Sequence, residues 1–286
     1  MTALRRAGPQ DATALDAFLA QHAATSMFLR SNLAAHGTDN ADHRHGTTFY
    51  VPQGAEIDGV FAISNDGVLM AQAPDAPPEA WAAFARQIAG RRVAGMTGRP
   101  RQVAQCLAAT GLMPGPWAVL ADEPLYQLTL SDLPDLPGDV RSPEPRDLAL
   151  LELWYATYAL DTGEVLAEDG PSPRARARAA AAIGSPDVVI LEDGGTALAM
   201  AGINARLPDI VQVGGVFTPD GMRGNGYARR AVAGLLRRCA GEGVRDAVLF
   251  AGNAAAAQAC EALGFRHVGE YRVALLRTPG LVERPT

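Results

Sequence analysis

Two segments of the chain pass through the same order of events: RRVAGMTGRPRQVAQCLAATGL, Arg91–Leu112, and RDAVLFAGNAAAAQACEALGF, Arg245–Phe265. Each opens on a short apolar run, crosses a glycine-containing turn, and enters a helical pattern that closes on glycine and an apolar residue. Cys106 and Cys260 fall in register. Such a repeat constrains the chain to two similar units rather than one continuous core. The 286 residues match that reading, being the length of about two domains.

The surrounding patterns extend the duplication. In the second half, RDLALLELWYATYAL and RARARAAAAIG read as helices, and DVVILEDGG with TALAMAGINA reads as a hairpin. IVQVGGVFT is a third strand and YARRAVAGLLRRCAG a helix with Ala228, Ala231, Val232, Leu235 and Leu236 on one face. DAVLFAG, AAAAQACEALGF and VGEYRVALLR follow as strand, helix and closing strand. The first half repeats this more weakly. Two helices, GPQDATALDAFLAQ and ATSMFLRSNLAAHG, precede the short strands TTFYVPQ, DGVFAISND and GVLMAQA, and the helix EAWAAFARQIAG comes next. The predicted class is α/β of the α+β kind, each unit a mixed, mostly antiparallel sheet flanked by helices. The proline- and acid-rich stretch SDLPDLPGDVRSPEPRD, Ser131–Asp147, places the boundary near Pro137 and the domains at 1–136 and 137–286.

Composition narrows the functional classes. At 48% hydrophobic and 20% charged residues, each half has material for a core. The net charge of −6 argues against a nucleic-acid partner, which calls for a basic balance. Cys106, Cys239 and Cys260, an odd and widely spaced set, read as reduced thiols of a cytoplasmic protein. No run approaches the roughly 18 apolar residues of a membrane span, and MTALRRAGPQDATALDAF has acids where a signal peptide needs an apolar stretch. The expectation is a soluble protein without a membrane partner. His36, His43 and His45 lie in a polar loop without ligand spacing, so no metal is expected. Trp81, Trp117 and Trp154 are expected in the core or at a domain interface.

One loop departs from this bland picture. In GVFTPDGMRGNGYARRAVAGLL, Gly215–Leu236, Arg223, Arg229 and Arg230 gather where a helix begins. The first turn of a helix carries unpaired N–H groups and partial positive charge. Each added cation there costs about 0.3–1 kcal/mol, a sign that a bound polyanion reverses. Gly224 and Gly226 leave the backbone bare for close approach of an anion. A dinucleotide fingerprint is excluded because Arg229 stands where its third glycine belongs, and a P-loop because Gly-Lys-Ser/Thr is absent. The competing reading is a surface turn with solvated arginines.

MRGNGYARR, behind the strand VQVGGVFTPD, resembles the acyl-CoA-binding motif of the GNAT superfamily of N-acetyltransferases, Arg/Gln-x-x-Gly-x-Gly/Ala. NAAAAQACEALGF resembles that family's downstream Asn-x-x-Ala…Gly-Phe motif, with Asn253, Ala256, Gly264 and Phe265 in place. The resemblance covers about Val140–Arg277; the first half shares only the outline, with APDAPPEA where the glycine-rich loop belongs. It implies a tandem protein with one working site for acetyl-CoA as cosubstrate and a degenerate N-terminal copy.

By this resemblance the strand before the loop carries a bulge at Gly214 and Gly215, although a close backbone crossing explains that pair equally well. Backbone groups of Val216, Phe217 and Thr218 would pair with the pantetheine arm. The amides from Arg223 through Gly224, Asn225, Gly226 and Tyr227 to Ala228 would seat the pyrophosphate, with Arg229 counted among the cofactor-binding residues. Asn253 would meet the arm or fix its turn. The family's first Arg/Gln is Gly221 here, and its frequent proton-donating tyrosine is Cys260. Cys260 is either a thiol donor or a small buried residue, with Tyr271 and Tyr227 as stand-ins. The implied reaction is attack of a primary amine, on a small molecule or a peptide, on the thioester. Asp161, Glu164, Glu192 and Asp209 are the candidate bases. A non-catalytic acyl-CoA-binding regulatory module is the alternative, and an anion-binding scaffold a further one.

Overall fold

The computed structural model describes residues 3–54, 56–137, 139–163 and 170–283. Its elements in chain order are β1 (Leu4–Arg6), α1 (Ala12–Ala20), α2 (Ala23–His36), β2 (Thr47–Pro52), β3 (Val60–Ser64), β4 (Val68–Gln72), α3 (Pro78–Gln87), β5 (Arg92–Gly98), α4 (Pro100–Ala109) and β6 (Trp117–Thr129). The second half follows with β7 (Val140–Arg141), α5 (Leu148–Asp161), α6 (Pro173–Ala182), β8 (Val188–Asp193), β9 (Thr196–Arg206), β10 (Ile210–Phe217), α7 (Tyr227–Gly241), β11 (Asp246–Phe250), α8 (Ala254–Glu261) and β12 (Arg266–Leu281).

The chain forms two compact units, one of residues up to Glu123 together with those from Glu270 onward, the other Pro124–Gly269. The boundary therefore does not fall at Pro137, and the closing strand does not stay with the second half. Residues Arg272–Leu281 of β12 pair antiparallel with β5 in the first unit, while Leu125–Thr129 of β6 pair antiparallel with β11 in the second. The proline-rich stretch contains β7 and no division between the units, because proline and glycine report on local backbone and not on which strands pair.

Strand order in the first unit is β1-β2-β3-β4-β5-β12, and in the second β7-β8-β9-β10-β11-β6. In each, the fourth strand runs parallel to the fifth and the other pairs are antiparallel. Helices cover both faces, as the period-2 alternation of the strands requires. In the first unit Phe49, Val51 and Ala62 pack under Leu15, Leu19 and Leu33 of α1 and α2, whereas Phe61, Ile63 and Leu69 pack under Trp81, Phe84 and Val103 of α3 and α4. In the second, Trp154 and Ala179 of α5 and α6 cover Ile190 and Met200, while Leu235 and Leu236 of α7 share the other core with Val189, Val211 and Phe265. Trp81 and Trp154 are core residues, and half-buried Trp117 packs on the first unit's core. All three cysteines are free and buried. Among the described residues no helix is long and apolar enough to cross a membrane.

A brace at the start of each unit repeats as well. Arg5 donates both guanidinium Nη groups to Asp11, at 2.7 and 2.8 Å, and Asp11 also accepts from the Gly8 N–H. Arg141 does the same to Asp147 at 2.6 and 2.9 Å, with the Glu144 N–H as the third donor. The sequences RRAGPQD and RSPEPRD share Arg, Pro and Asp at these positions. Hydrogen bonds from Arg5 and from Gly8 hold the Asp11 carboxyl down at about 2. A depressed carboxyl contributes stability above its ordinary value of 3.8 and loses it as pH falls toward 2. Thermal unfolding of Asp11→Asn against wild type should show a lower Tm at pH 5 and convergence of the two near pH 2.

Candidate active site

The second unit holds a cavity of about 740 Å³ between the end of β10, the start of α7 and the face of α8, within the size range of small-molecule and cofactor sites. Its backbone wall arises from a defect in β10. Three steps from Gly214 to Phe217 face only two, Gly202 to Met200, on β9, so β10 bulges by one residue. Gly215 takes φ +60°, a left-handed conformation that side chains resist, and a Cβ on Gly214 would run into the Asn204 side chain. On the other edge, pairing with β11 runs only from Ile210 to Gln212. Beyond Gln212, Val213 to Thr218 line the cavity together with Leu249, Phe250, Gly252 and Asn253. The bulge reading of the glycine pair is the one realised, with the close approach of Asn204 accompanying it.

Just past β10, the Thr218 hydroxyl oxygen is buried with no hydrogen-bond partner among the described residues. Buried polar groups are generally satisfied, and an orphan points to a ligand or water.

The loop then turns into α7. Gly226 is its N-cap at φ 75°, ψ 10°, and no side chain caps the helix. The amides that open α7 thus have no side-chain acceptor, and they face a cavity lined by Gly224, Gly226, Tyr227, Ala228 and Arg229. Asn225 is not in that wall; its side-chain amide donates to the Met222 and Arg223 carbonyls at 3.1 and 3.3 Å and braces the turn.

The three arginines have different fates. Arg223 donates to Asp161 at 2.6 Å and lies 2.9 Å from Asp220, with its Nε on the Thr218 carbonyl at 3.0 Å. Arg230 donates to the Pro137 carbonyl at 2.8 Å and lies over the Tyr227 ring. Arg229 alone curls back over the loop, its guanidinium 3.0 Å from where a Cβ on Gly226 would stand, and no carboxylate pairs with it among the described residues. The expectation of three arginines awaiting one anion is corrected: Asp161 of α5 and the loop's own Asp220 answer Arg223, and a carbonyl answers Arg230.

Asn253 caps α8, its Oδ1 accepting from the Ala256 N–H at 2.9 Å, so of its two expected roles it performs the turn-fixing one while lining the cavity. Cys260 reaches the same cavity. Burial first, and the Glu261 charge second, push its thiol up to about 12, so it stays protonated at neutral pH and donates weakly. Tyr227 lines the cavity, whereas Tyr271 belongs to the first unit with its hydroxyl 3.3 Å from that of Thr97. Of the candidate bases, Asp161 is in the wall. Glu192 is instead bound to Arg141, and Asp209 lies near Arg245 outside the cavity. Glu164 lies outside the described residues. His36 and His43 stack at 4.0 Å, and no group of three or more metal-ligating side chains occurs among the described residues.

Tyr158 and Thr162 of the α5 end complete the wall and were not anticipated. WYATYAL carried the signal, since Tyr155 and Tyr158 stand one turn apart on a helix that enters the site.

Residues 150–265 match the family model described as Acetyltransferase (GNAT) family. These residues form a GNAT acetyltransferase domain. The family uses acetyl-CoA and its members are generally acyltransferases. The GNAT fold extends across nearly the whole chain. A GCN5-related N-acetyltransferase from Sphaerobacter thermophilus aligns over 99% of this chain and 98% of its own, at TM-score 0.56 and 16% identity. A GNAT-family acetyltransferase from Colwellia psychrerythraea aligns over 95% and 99%, at 0.54 and 16%. A Drosophila protein from a structural genomics programme aligns over 96% and 99%, at 0.59 and 13%. At such identities the likeness speaks to fold alone. No curated protein sequence matches the chain.

The two units differ where the GNAT domain has its cavity. In the first, Pro77 and Pro78 open α3 in place of a glycine loop. Just past β4, where Thr218 stands past β10, the buried Ala73 N–H donates to the Gln102 side-chain oxygen at 2.8 Å. Gln102 is the third residue of α4, as Ala256 is of α8. One unit has a methyl group where the other has an amide that satisfies its own strand end.

Proposed function

We propose that the second unit binds acetyl-CoA in this cavity and transfers the acetyl group to a primary amine of a small molecule or peptide, and that the first unit is a degenerate copy without a cofactor site. What carries the reading is the meeting of an interrupted β10 edge with an uncapped α7 N-terminus in one cavity. The backbone from Val216 to Thr218, free of β11, suits the amides of a pantetheine arm as an added strand would. The Thr218 hydroxyl offers a further donor and acceptor. The amides of Gly224 to Arg229, with the Arg229 charge above them, suit a diphosphate. Small Ala256 leaves room between these two parts.

Bound acyl-CoA supplies an activated thioester. The protein's part is to hold the reacting groups together, which makes the step effectively unimolecular. An alkylammonium at pKa about 10.4 is mostly protonated at neutral pH and must lose a proton before attack; Asp161 is the carboxylate in the wall. The Cys260 thiol, in the cavity wall, is one side chain available to the departing sulfur. That weak donor favours one second reading, an acyl-CoA-binding regulatory module without turnover. Thiol release with a panel of primary amines separates the two.

Calorimetric titration with coenzyme A tests the reading. Wild type should bind one equivalent per chain. Arg229→Ala should weaken binding about tenfold with a shallower salt dependence, and Arg230→Ala by less than about threefold, since a screened charge term follows ionic strength. Absence of binding, or equal losses in the two variants, would count against it.

A further inference from the structure

The acyl-CoA reading leaves one ion pair unexplained. Arg223 belongs to the loop that opens α7, and Asp161 is the last residue of α5; both line the cavity. Their contact at 2.6 Å ties the loop to a helix 62 residues away in sequence. The same Arg223 Nη2 lies 2.9 Å from Asp220, its Nε donates to the Thr218 carbonyl, and its guanidinium stands 5.9 Å from the Phe217 ring centre. Two carboxylates thus share one cation. The side chains of Arg223 and Asp161 are 49% and 41% exposed, so water competes for both and the pair is easily exchanged.

Resting on that reading, we propose that Arg223 is a shuttle between Asp161 and the diphosphate, and that its departure leaves Asp161 to receive a cationic acceptor, an aliphatic primary ammonium. A diphosphate seated on the α7 amides brings concentrated negative charge beside Arg223, and guanidinium–phosphate bonds are charge-assisted and bidentate where a half-exposed carboxylate competes poorly. Asp220 stays beside Arg223 on the same turn of loop, whereas Asp161 on α5 is left without its cation. A carboxylate so released in the cavity wall favours a positively charged amine. Before the cofactor arrives, Arg223 covers that carboxylate and an ammonium meets a neutralised pair. Acceptor affinity thereby becomes conditional on cofactor, and linkage makes the dependence mutual.

The reciprocal half gives the decisive measurement. If Arg223 must leave Asp161 to meet the diphosphate, removing the Asp161 charge makes cofactor binding tighter, which loss of a merely structural contact would not do. Calorimetry with coenzyme A should give an affinity for Asp161→Asn about threefold above wild type, and for Arg223→Ala about tenfold below it. The double variant should match Arg223→Ala, the asparagine having no effect once Arg223 is gone. Binding of 1,4-diaminobutane to the coenzyme A-saturated protein should weaken at least fivefold in Asp161→Asn and recover in part in Asp161→Glu. Unchanged or weaker coenzyme A binding by Asp161→Asn overturns the shuttle while the acyl-CoA reading stands. Failure of 1,4-diaminobutane to bind the saturated wild type overturns the acceptor assignment. A wild type that binds no coenzyme A overturns both readings together.

Discussion

Ala256→Gln is expected to lower coenzyme A affinity by at least about a hundredfold, equivalent to about 2.7 kcal/mol, while the melting temperature moves by only a few degrees. The first unit is the reason for expecting both halves of that result. Gln102 occupies the matching third position of α4, is 3% exposed, and donates no strain to its helix, since glutamine is a good helix former. Its side-chain oxygen takes the Ala73 N–H just past β4. A glutamine at 256 reaches into the space between Thr218 and α8 and offers the strand end a partner from within the protein. The Asn253 cap survives, because it is the Ala256 backbone N–H that donates to it. The reciprocal variant gives the internal control: Gln102→Ala strips the buried Ala73 N–H of its acceptor and should cost about 1–3 kcal/mol of stability without changing coenzyme A stoichiometry. Wild-type affinity in Ala256→Gln would show that the arm does not pass between β10 and α8.

The fold was legible wherever a local rule acts on the backbone. Glycines at 224 and 226 ahead of an apolar helical stripe, and Asn253 ahead of a run of alanines, are capping and turn chemistry readable residue by residue. The register of Cys106 with Cys260 likewise carried into structure, each buried on the helix after a parallel strand. What stayed hidden was pairing. WAVLADEPLYQLT contains Asp122, Glu123 and Pro124 in its middle, which demotes it as a strand by any local measure, yet it forms thirteen residues of β6. No periodicity says that its end pairs with β11 or that β12 returns to β5. Arg5, Pro9 and Asp11 recur as Arg141, Pro145 and Asp147, so the repeated brace was there to be read, yet neither it nor the prolines before it mark the division between Glu123 and Pro124. The site divides the same way. The loop announced itself through its glycines, whereas the partner of Arg223 came from α5, and sequence distance alone concealed it.

Gly226→Val is expected to reduce coenzyme A affinity at least about thirtyfold and to cost about 1–2 kcal/mol of stability, and Gly221→Val to do neither. Gly226 holds φ 75°, ψ 10°, a left-handed conformation in which a β-branched residue is a true outlier. Relieving that strain rotates the peptide joining Gly226 to Tyr227, and with it the first amides of α7. The added Cβ would also stand 3.0 Å from the Arg229 guanidinium and push it off the loop. Both effects act on the seat proposed for the diphosphate: one misdirects its donors, the other removes its charge. Gly221 has no positive φ and nothing within 4 Å of where its Cβ would be. It also fills the motif position that is usually arginine or glutamine, so a side chain there is sterically free. The two glycines lie five residues apart in one loop, and a general softening of that loop would affect both variants. Calorimetry with coenzyme A and thermal unfolding of the pair therefore separate a geometric seat from a merely flexible turn: equal losses in the two variants would discard the seat, and a loss confined to position 226 would assign it to the α7 amides together with the Arg229 charge above them.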